Sequence, residues 1–545
     1  MVEKGKNVII TGFSFTGKSV VGKEVARRLE WNFIDSDQEV VALARKPIPD
    51  IFARDGEEHF RKLERQVLEK ACAGKGAVIA TGGGAVVDQR NRELFARSGA
   101  VICLEARPQT IYNRLLSSQQ DNGTVVRPLL AAADPLERIT QLKASRQPYY
   151  ATADWSVYTD SLSLNEVVDE VVRGMEQASA RKGDAPFVVT TPTGNYPVFV
   201  GWGLLDDMGR RMLQLGLSDR ASIISDENVF HHHGHRACTA LEQAGFHVDS
   251  FLVPPGETTK TIDTAVKLYD WLVERRTERV HAIIALGGGM VGDLAGFAAA
   301  TFLRGLPLVQ VPTSLIAMAD AAIGGKVAVN HPRAKNLIGA FYQPRLVTAD
   351  VSTLTTLSER ELVSGWAEVI KHGLILDAEF VQFLEVHATE LKALEAAPTT
   401  EAIRRSAMLK ATVVSQDEKE QGRRMVLNYG HTIAHGLEAA TEYERFLHGE
   451  AVAIGMTGAA MLSERLGLIP AETAARQKRL IAGFGLPTSC SGVDPSRVLQ
   501  AMALDKKVRE REIKWVLLEG IGQTTFRNDV SAEDVASVLE ELLTD

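Results

Sequence analysis

Four cysteines in 545 residues, Cys72, Cys103, Cys238 and Cys490, are too few for a disulfide scaffold, and none has the CxxC spacing of a zinc or redox motif. A reducing, cytoplasmic setting is expected. The chain also lacks any block of lysines and arginines able to track a nucleic-acid backbone, and its net charge is -8. Nucleic acid is therefore not an expected partner, although a cationic pocket for a small anion can exist in an acidic protein. No uncharged apolar run reaches the roughly 18 residues of a membrane span; the longest candidate, 295–311, is broken by Arg304 and Pro307. No membrane is expected either. Residues 1–6 run straight into a strand-like segment and do not read as a signal peptide. Internal repeats and low-complexity tracts are absent too.

What is present is the ordinary balance of a globular protein, 45% hydrophobic and 24% charged residues, in a chain too long for one core. Two or three domains follow. Over 1–174, short apolar runs at 8–11, 33–34, 78–81 and 101–104 alternate with amphipathic stretches, which predicts a parallel sheet flanked by helices. Residues 175–186 are small and polar without periodicity and read as a linker. Strand-like runs at 187–190, 222–225, 282–286 and 308–311 predict a second α/β domain over 187–356. From 357 to 545 apolar residues recur at helical spacing, so a mainly helical third region is expected.

Two glycine-rich loops of different design stand out. In the first, Gly12, Gly17, Lys18 and Ser19 complete GxxxxGK[ST] between a strand and a helix. Backbone N–H groups and the helix N-terminus suit phosphates, Lys18 the transferring oxygens, and the Ser19 hydroxyl a magnesium ion. ATP with Mg2+ is the expected ligand. A second strand ends at Asp35 and Asp37: one carboxylate suits the magnesium shell, the other the proton of a substrate hydroxyl, although such a pair alone is more often a turn or helix cap. Arg127 follows a polar stretch, 117–124, that reads as a mobile lid.

With Arg61 in 56–64, the glycines of 81–84, Arg127 in 127–130 and Arg146 in 146–150, these segments resemble shikimate kinase in order and spacing over nearly all of 1–174. The resemblance implies a nucleoside-monophosphate-kinase-like P-loop fold that phosphorylates the 3-hydroxyl of shikimate with ATP. It further implies that Asp37, Arg61, Gly83, Gly84 and Arg146 hold shikimate, that Arg127 is the lid arginine and that Asp35 assists magnesium. Paired arginines supply the planar forks a carboxylate prefers, which favours a cyclic acid over the substrate of a gluconate-type kinase.

In the second loop, Gly287, Gly289 and Gly292 satisfy GxGxxG after a strand, but the acidic residue expected about 20 positions later is missing. The loop alone is weak. Support comes from the helical region, where His431 and His435 stand one helical turn apart and His448 follows, three histidines within 18 positions. Glu368 and Lys371 add a carboxylate and an ammonium on one helix face. A Glu/His/His set with open positions is what a catalytic zinc requires. The run His231, His232 and His233 lacks a carboxylate partner and reads as ordinary.

Together with 225–228, 255–260, 301–305, 312–314, 320–326, Lys335, Asn336 and 428–435, these segments are similar to 3-dehydroquinate synthase in order through 186–545. The resemblance implies a Rossmann-like NAD-binding α/β domain followed by a mainly α-helical metal-binding domain. Glu368, His431 and His448 would be ligands to Zn2+ or Co2+. Asp226, Asn228, Glu257, Lys260, Gly288, Gly289, Asp293, Thr313, Ser314, Lys335 and Glu361 would face NAD. Arg304, Asp320, Lys326, Asn336, Lys371, Lys410, Arg424, Asn428 and His435 would meet the heptulosonate 7-phosphate, and either Lys506 or Lys507 its phosphate. Other sugar-phosphate cyclases share the NAD and metal residues, but Arg424 beside Asn428 favours a substrate with a carboxylate; an alcohol dehydrogenase would leave the lysines unexplained. The two resemblances imply one bifunctional chain of chorismate and aromatic amino acid biosynthesis, a homodimer through its synthase half.

Overall fold

The first apolar run forms β1 (Asn7–Gly12). It lies between β3 (Ala77–Ala80) and β4 (Gly99–Glu105), with β2 (Asn32–Asp35) and β5 (Trp155–Tyr158) outside them, in a five-stranded parallel sheet of order β2-β3-β1-β4-β5. Alternation along the central strands feeds two cores. Val8, Ile10, Val78 and Ile102 pack with Val21, Val25, Val168 and Val171 on one face. Ile9, Ile79 and Cys103 pack with Leu68, Phe95, Ile111 and Ile139 on the other. Strands buried on both faces read as continuous apolar runs, which is why this sheet was legible.

The computed structural model describes residues 6–122, 134–150, 153–160, 162–180, 186–332, 334–504 and 513–543. Arg127, residues 123–124 of the expected lid, Lys506 and Lys507 lie outside them, while 117–122 of that stretch end the helix Pro108–Asn122 rather than forming a loop. The chain divides into two units, Met1–Thr190 and Thr191–Asp545. The expected linker starts too early: helix Leu164–Ala180 runs through its first half, and Met175, 2% exposed, continues the buried face of Val167, Val168 and Val171. The small polar residues after Met175 extend that helix.

In the second unit, β7 (Gly194–Gly201), β8 (Arg220–Asp226), β9 (His247–Val253), β10 (Ala282–Gly287), β11 (Leu308–Pro312) and β14 (Leu346–Asp350) form a parallel sheet of order β7-β14-β11-β10-β8-β9, with β6 (Phe187–Thr191) beside β7. β8, β10 and β11 end along one edge, at Asp226, Gly287 and Pro312, where a doubly wound sheet offers its ligand crevice. An antiparallel hairpin, β12 (Lys326–His331) and β13 (Ala334–Phe341), follows. At the end of β14, Asp350 is fully buried and accepts hydrogen bonds from the N–H groups of Gly203 (2.8 Å), Leu205 (3.0 Å) and Ser352 (3.0 Å).

The third region is helical as expected, apart from the hairpin β15 (Trp515–Gly520) and β16 (Gln523–Arg527). Its central helix, Glu359–Leu376, is buried on every side from Ser364 to Ile375. Ionisable groups inside such a helix are costly unless partnered, so Glu368, Lys371 and His372 need partners. No helix among the described residues is long and apolar enough to cross a membrane.

Candidate active sites

The first glycine loop is shaped by close approach. Gly12 has φ +131°, and a Cβ there would stand 2.3 Å from the Leu104 carbonyl oxygen. Gly17, also left-handed, opens helix Lys18–Leu29. Lys18 Nζ donates to the Phe13 carbonyl at 2.8 Å, across the loop. Ser19 Oγ donates to Asp35 Oδ2 at 2.6 Å, while Asp35 Oδ1 accepts from the N–H of Asp37 and Gln38 and caps helix Ser36–Ala44. Asp35 is thus both a helix cap and the partner of the expected magnesium ligand Ser19.

Asp37, Arg61, Gly83, Gly84 and Arg146 line one pocket with Phe13, Phe52 and Phe60. Sequence reasoning missed Glu64, one turn after Arg61 on helix Gly56–Cys72. It is 1% exposed and 2.7 Å from Arg61. Burial pushes its carboxyl upward, against the pull of Arg61. The Gly83 carbonyl accepts from Arg146 (3.2 Å) and the buried Tyr150 hydroxyl (2.6 Å), so the pocket wall is tied to helix Pro135–Tyr150.

In the second unit, Gly288 caps helix Gly289–Thr301 at the sheet edge. Lys260, 3% exposed, gathers three expected residues: Glu257 at 2.8 Å, Asp293 at 3.0 Å and Asn336 at 2.7 Å. Burial pushes Asp293 up to about 6, although Lys260 pulls the other way. Asp226 turns the backbone of Asn228 by accepting its N–H at 3.0 Å. Thr313 N–H donates to the Gly287 carbonyl at 3.0 Å. Ser314 Oγ lies 3.3 Å from where a Cβ on Gly288 would be. Lys335 Nζ lies 4.0 Å from the centre of the Tyr443 ring. Glu361 is exposed and pairs with Ser358 at the start of helix Glu359–Leu376.

Deeper in that helix, Glu368 is 1% exposed; its Oε1 has no hydrogen-bond partner and lies 3.6 Å from Nε2 of both His431 and His448. Each imidazole is oriented from behind, His431 Nδ1 by the Tyr429 carbonyl and His448 Nδ1 by Glu438 Oε1, both at 3.2 Å. Burial opposes a positive charge on His448, yet Glu368 and Glu438 draw its pKa upward, so the surrounding field favours a cation. One buried carboxylate oxygen and two directed imidazole nitrogens fit Zn2+ or Co2+. Asp320, Glu368 and His372 also cluster, but Lys410 lies 2.8 Å from Asp320 and Lys371 pairs with Glu368, placing ammonium groups where a second cation would sit.

The remaining expected contacts divide. Lys410 is pushed down to about 8 by burial, against the pull of Asp320. Lys326 and Asn428 are brought together by Glu420, which was not anticipated. His435 stands edge-on to His431, 5.6 Å between ring centres. Arg424 is 2% exposed and spends two guanidinium nitrogens on the carbonyls of Gly324 and Glu418, a more committed position than a substrate fork suggests. Arg304 is exposed in a left-handed turn after helix Gly289–Thr301, whose 13 residues separate it from the glycine loop by about 20 Å. No described hydrogen bond or ion pair joins Arg304 to the groups around Glu368. His233 bonds Thr356 at 2.9 Å, in keeping with an ordinary role for that histidine run.

Comparison with known proteins assigns residues 15–176 to the shikimate kinase family model, 250–364 to 3-dehydroquinate synthase N-terminal and 365–508 to 3-dehydroquinate synthase C-terminal. A 3-dehydroquinate synthase of Nostoc punctiforme is 46% identical over 355 residues, 65% of this chain and 98% of the relative. Among solved structures, a 2-epi-5-epi-valiolone synthase from Streptomyces hygroscopicus subsp. jinggangensis, with NAD+ and Zn2+ bound, is 29% identical with a TM-score of 0.60, covering 64% of this chain and 96% of that one. A 2-deoxy-scyllo-inosose synthase with carbaglucose-6-phosphate, NAD+ and Co2+ is 28% identical with a TM-score of 0.61, covering 66% of this chain and all of that one.

Proposed function

The chain belongs to the 3-dehydroquinate synthase family and carries a shikimate kinase domain ahead of it, and from that membership we propose how its residues divide two reactions of the shikimate pathway. The synthase half converts 3-deoxy-D-arabino-heptulosonate 7-phosphate to 3-dehydroquinate and phosphate; the kinase half phosphorylates shikimate with ATP.

In the synthase, Glu368, His431 and His448 would hold Zn2+ or Co2+. Asp226, Asn228, Glu257, Lys260, Gly288, Gly289, Asp293, Thr313, Ser314, Lys335 and Glu361 would line the NAD site. When bound, NAD+ accepts and returns a hydride and the metal polarises a substrate oxygen. The protein's own share is to hold one conformer of a doubly anionic substrate and to balance enolate-like charge. Lys326, Lys371, Lys410 and Arg424 supply the positive groups, Asn336, Asn428 and His435 further polar contacts, and Asp320 a carboxylate held by Lys410. The observation that carries this reading is the buried, unbonded Glu368 Oε1 facing two imidazole nitrogens.

In the kinase, Lys18 would meet the transferring phosphoryl oxygens and Ser19 with Asp35 the Mg2+. Asp37 would accept the proton of the 3-hydroxyl, with Arg61 and Arg146 on the carboxylate and Arg127 closing over the phosphates. Two assays on one preparation test both halves. Heptulosonate phosphate with NAD+ should release phosphate, and shikimate with ATP should yield ADP; a silent mixture removes that half of the reading. Lys18→Ala should abolish only ADP formation. His431→Ala should abolish only cyclisation and lower the bound metal per chain.

A homodimer through the synthase half is supported by an apolar stripe. Ile262 (42% exposed), Val266 (48%) and Val273 (64%) recur at helical spacing on Ile262–Glu274. Tyr269 of that helix stacks on Phe302, whose neighbour Leu303 is 41% exposed. Arg304 follows at once, so as a substrate contact it would serve the site of a second copy. Sedimentation of Val266→Glu should report a monomer if this stripe pairs two chains. The unpaired state of all four cysteines supports a cytoplasmic location.

A further inference from the structure

On helix Glu359–Leu376, His372 is a buried ionisable group that neither the metal nor the substrate reading uses. His372 lies one turn beyond Glu368 and is fully buried. Its Nδ1 is 2.8 Å from Ser406 Oγ, whereas its Nε2 has no hydrogen-bond partner and points at Asp320, 3.7 Å from Oδ1. Buried beside the Lys371 ammonium, the ring is neutral and carries one N–H. A lone pair turned on the Asp320 carboxylate, which is 29% exposed, would be repulsive. The proton therefore belongs on Nε2, and Nδ1 accepts from the Ser406 hydroxyl.

Ser406 stands one turn before Lys410 on helix Ala396–Gln416, and Lys410 lies 2.8 Å from the same Asp320 oxygen. Asp320 is thus approached by an ammonium from one helix and an imidazole N–H from the other. Catalytic hydrogen bonds are often long before substrate binds and tighten only in the complex. A role as filler would leave the aim of Nε2 and the hydroxyl behind Nδ1 without purpose.

We propose that His372 is a positioning residue of the synthase reaction: its Nε2–H, fixed by Ser406, holds the Asp320 carboxylate in the orientation that meets the substrate. The inference rests on the proposed role of Asp320. Three variants test it in the full-length chain, with the kinase activity as internal control. His372→Phe should lower kcat for cyclisation about tenfold or more, the usual range for groups that orient a working residue, while KM changes less than threefold. His372→Gln, which keeps a donor, should recover at least a third of the parent kcat, and Ser406→Ala should lose several-fold. In 15N-imidazole spectra, the signals lost in His372→Phe should show the Nε2–H tautomer. A His372→Phe kcat within twofold of the parent, equal losses in the Phe and Gln variants, or an Nδ1–H tautomer overturns the proposal. If His372→Phe does not fold, an unchanged kcat in Ser406→Ala overturns it and a several-fold loss upholds it. Asp320→Asn separates the levels: full activity there removes the role of Asp320 itself, whereas its loss alongside a normal His372→Phe removes only the inference.

Discussion

Gly82 shows how little space the kinase pocket leaves. A Cβ there would stand 2.6 Å from Glu64 Oε1 and 2.9 Å from Asp37 Oδ1, so Gly82→Ala must displace both carboxylates. The expected outcome is a rise of about tenfold in KM for shikimate, on the order of 1.4 kcal/mol, with cyclisation unchanged; steady-state assays of both halves decide it. Lys410 makes a pH prediction. Its ammonium, drawn down to about 8 by burial, loses its proton above that pH, so kcat/KM of the synthase should fall above about pH 8, and Lys410→Arg should move the fall upward. The stability sign is opposite: the unfolded lysine binds its proton more tightly than the folded one, so this group's contribution grows as pH rises from about 8 toward its ordinary value near 10.4. Motif residues were legible because their chemistry is fixed by type and spacing. Glu438, Glu420 and His372 were not, since each acts through a partner that folding brings near: Glu438 meets His448, and His372 meets Asp320 from another segment; Glu64 sits one turn from Arg61, and only its burial was hidden.

Among elements, the strands found from sequence are β1, β3, β4, β8, β10 and β11, buried along all or nearly all of their length, together with the less buried β2 and β6. Several of those overlooked have a wet or edge character, although β14, overlooked as well, is buried throughout. β9, His247–Val253, buries only its last residue fully, and β13 is exposed along most of its length. Neither shows a continuous apolar run, so periodicity had nothing to report. The turn after β14 was equally silent, yet it is a junction on which stability depends. Asp350 holds the N–H groups of Gly203, Leu205 and Ser352, with Arg236 at 3.1 Å. Asp350→Ala leaves those donors and a guanidinium without their acceptor, and should cost about 3 kcal/mol. A thermal melt of the synthase unit checks this, and a shift under 2 °C would contradict it.

For the whole molecule, two units with separate cores predict separable chemistry. Removing the metal with a zinc-selective chelator in excess Mg2+ should abolish phosphate release and leave ADP formation intact, with added Zn2+ or Co2+ restoring the former. Cutting the chain between Ala180 and Phe187 should yield two fragments, each with its own activity; an inactive kinase fragment would mean that the halves depend on each other. Arg61 and Arg146 bring two positive charges to the kinase pocket, and Asp37 and Glu64 bring two acids. If the pocket takes shikimate as proposed, the two guanidinium groups face the incoming carboxylate monoanion and admit it at modest cost. On that proposal, adding a phosphoryl group to the same molecule would put about two more negative charges beside Asp37 and Glu64, and the walls that accept the substrate would then repel what it has become. On the proposed reading, the acids that crowd Gly82 would help the product leave.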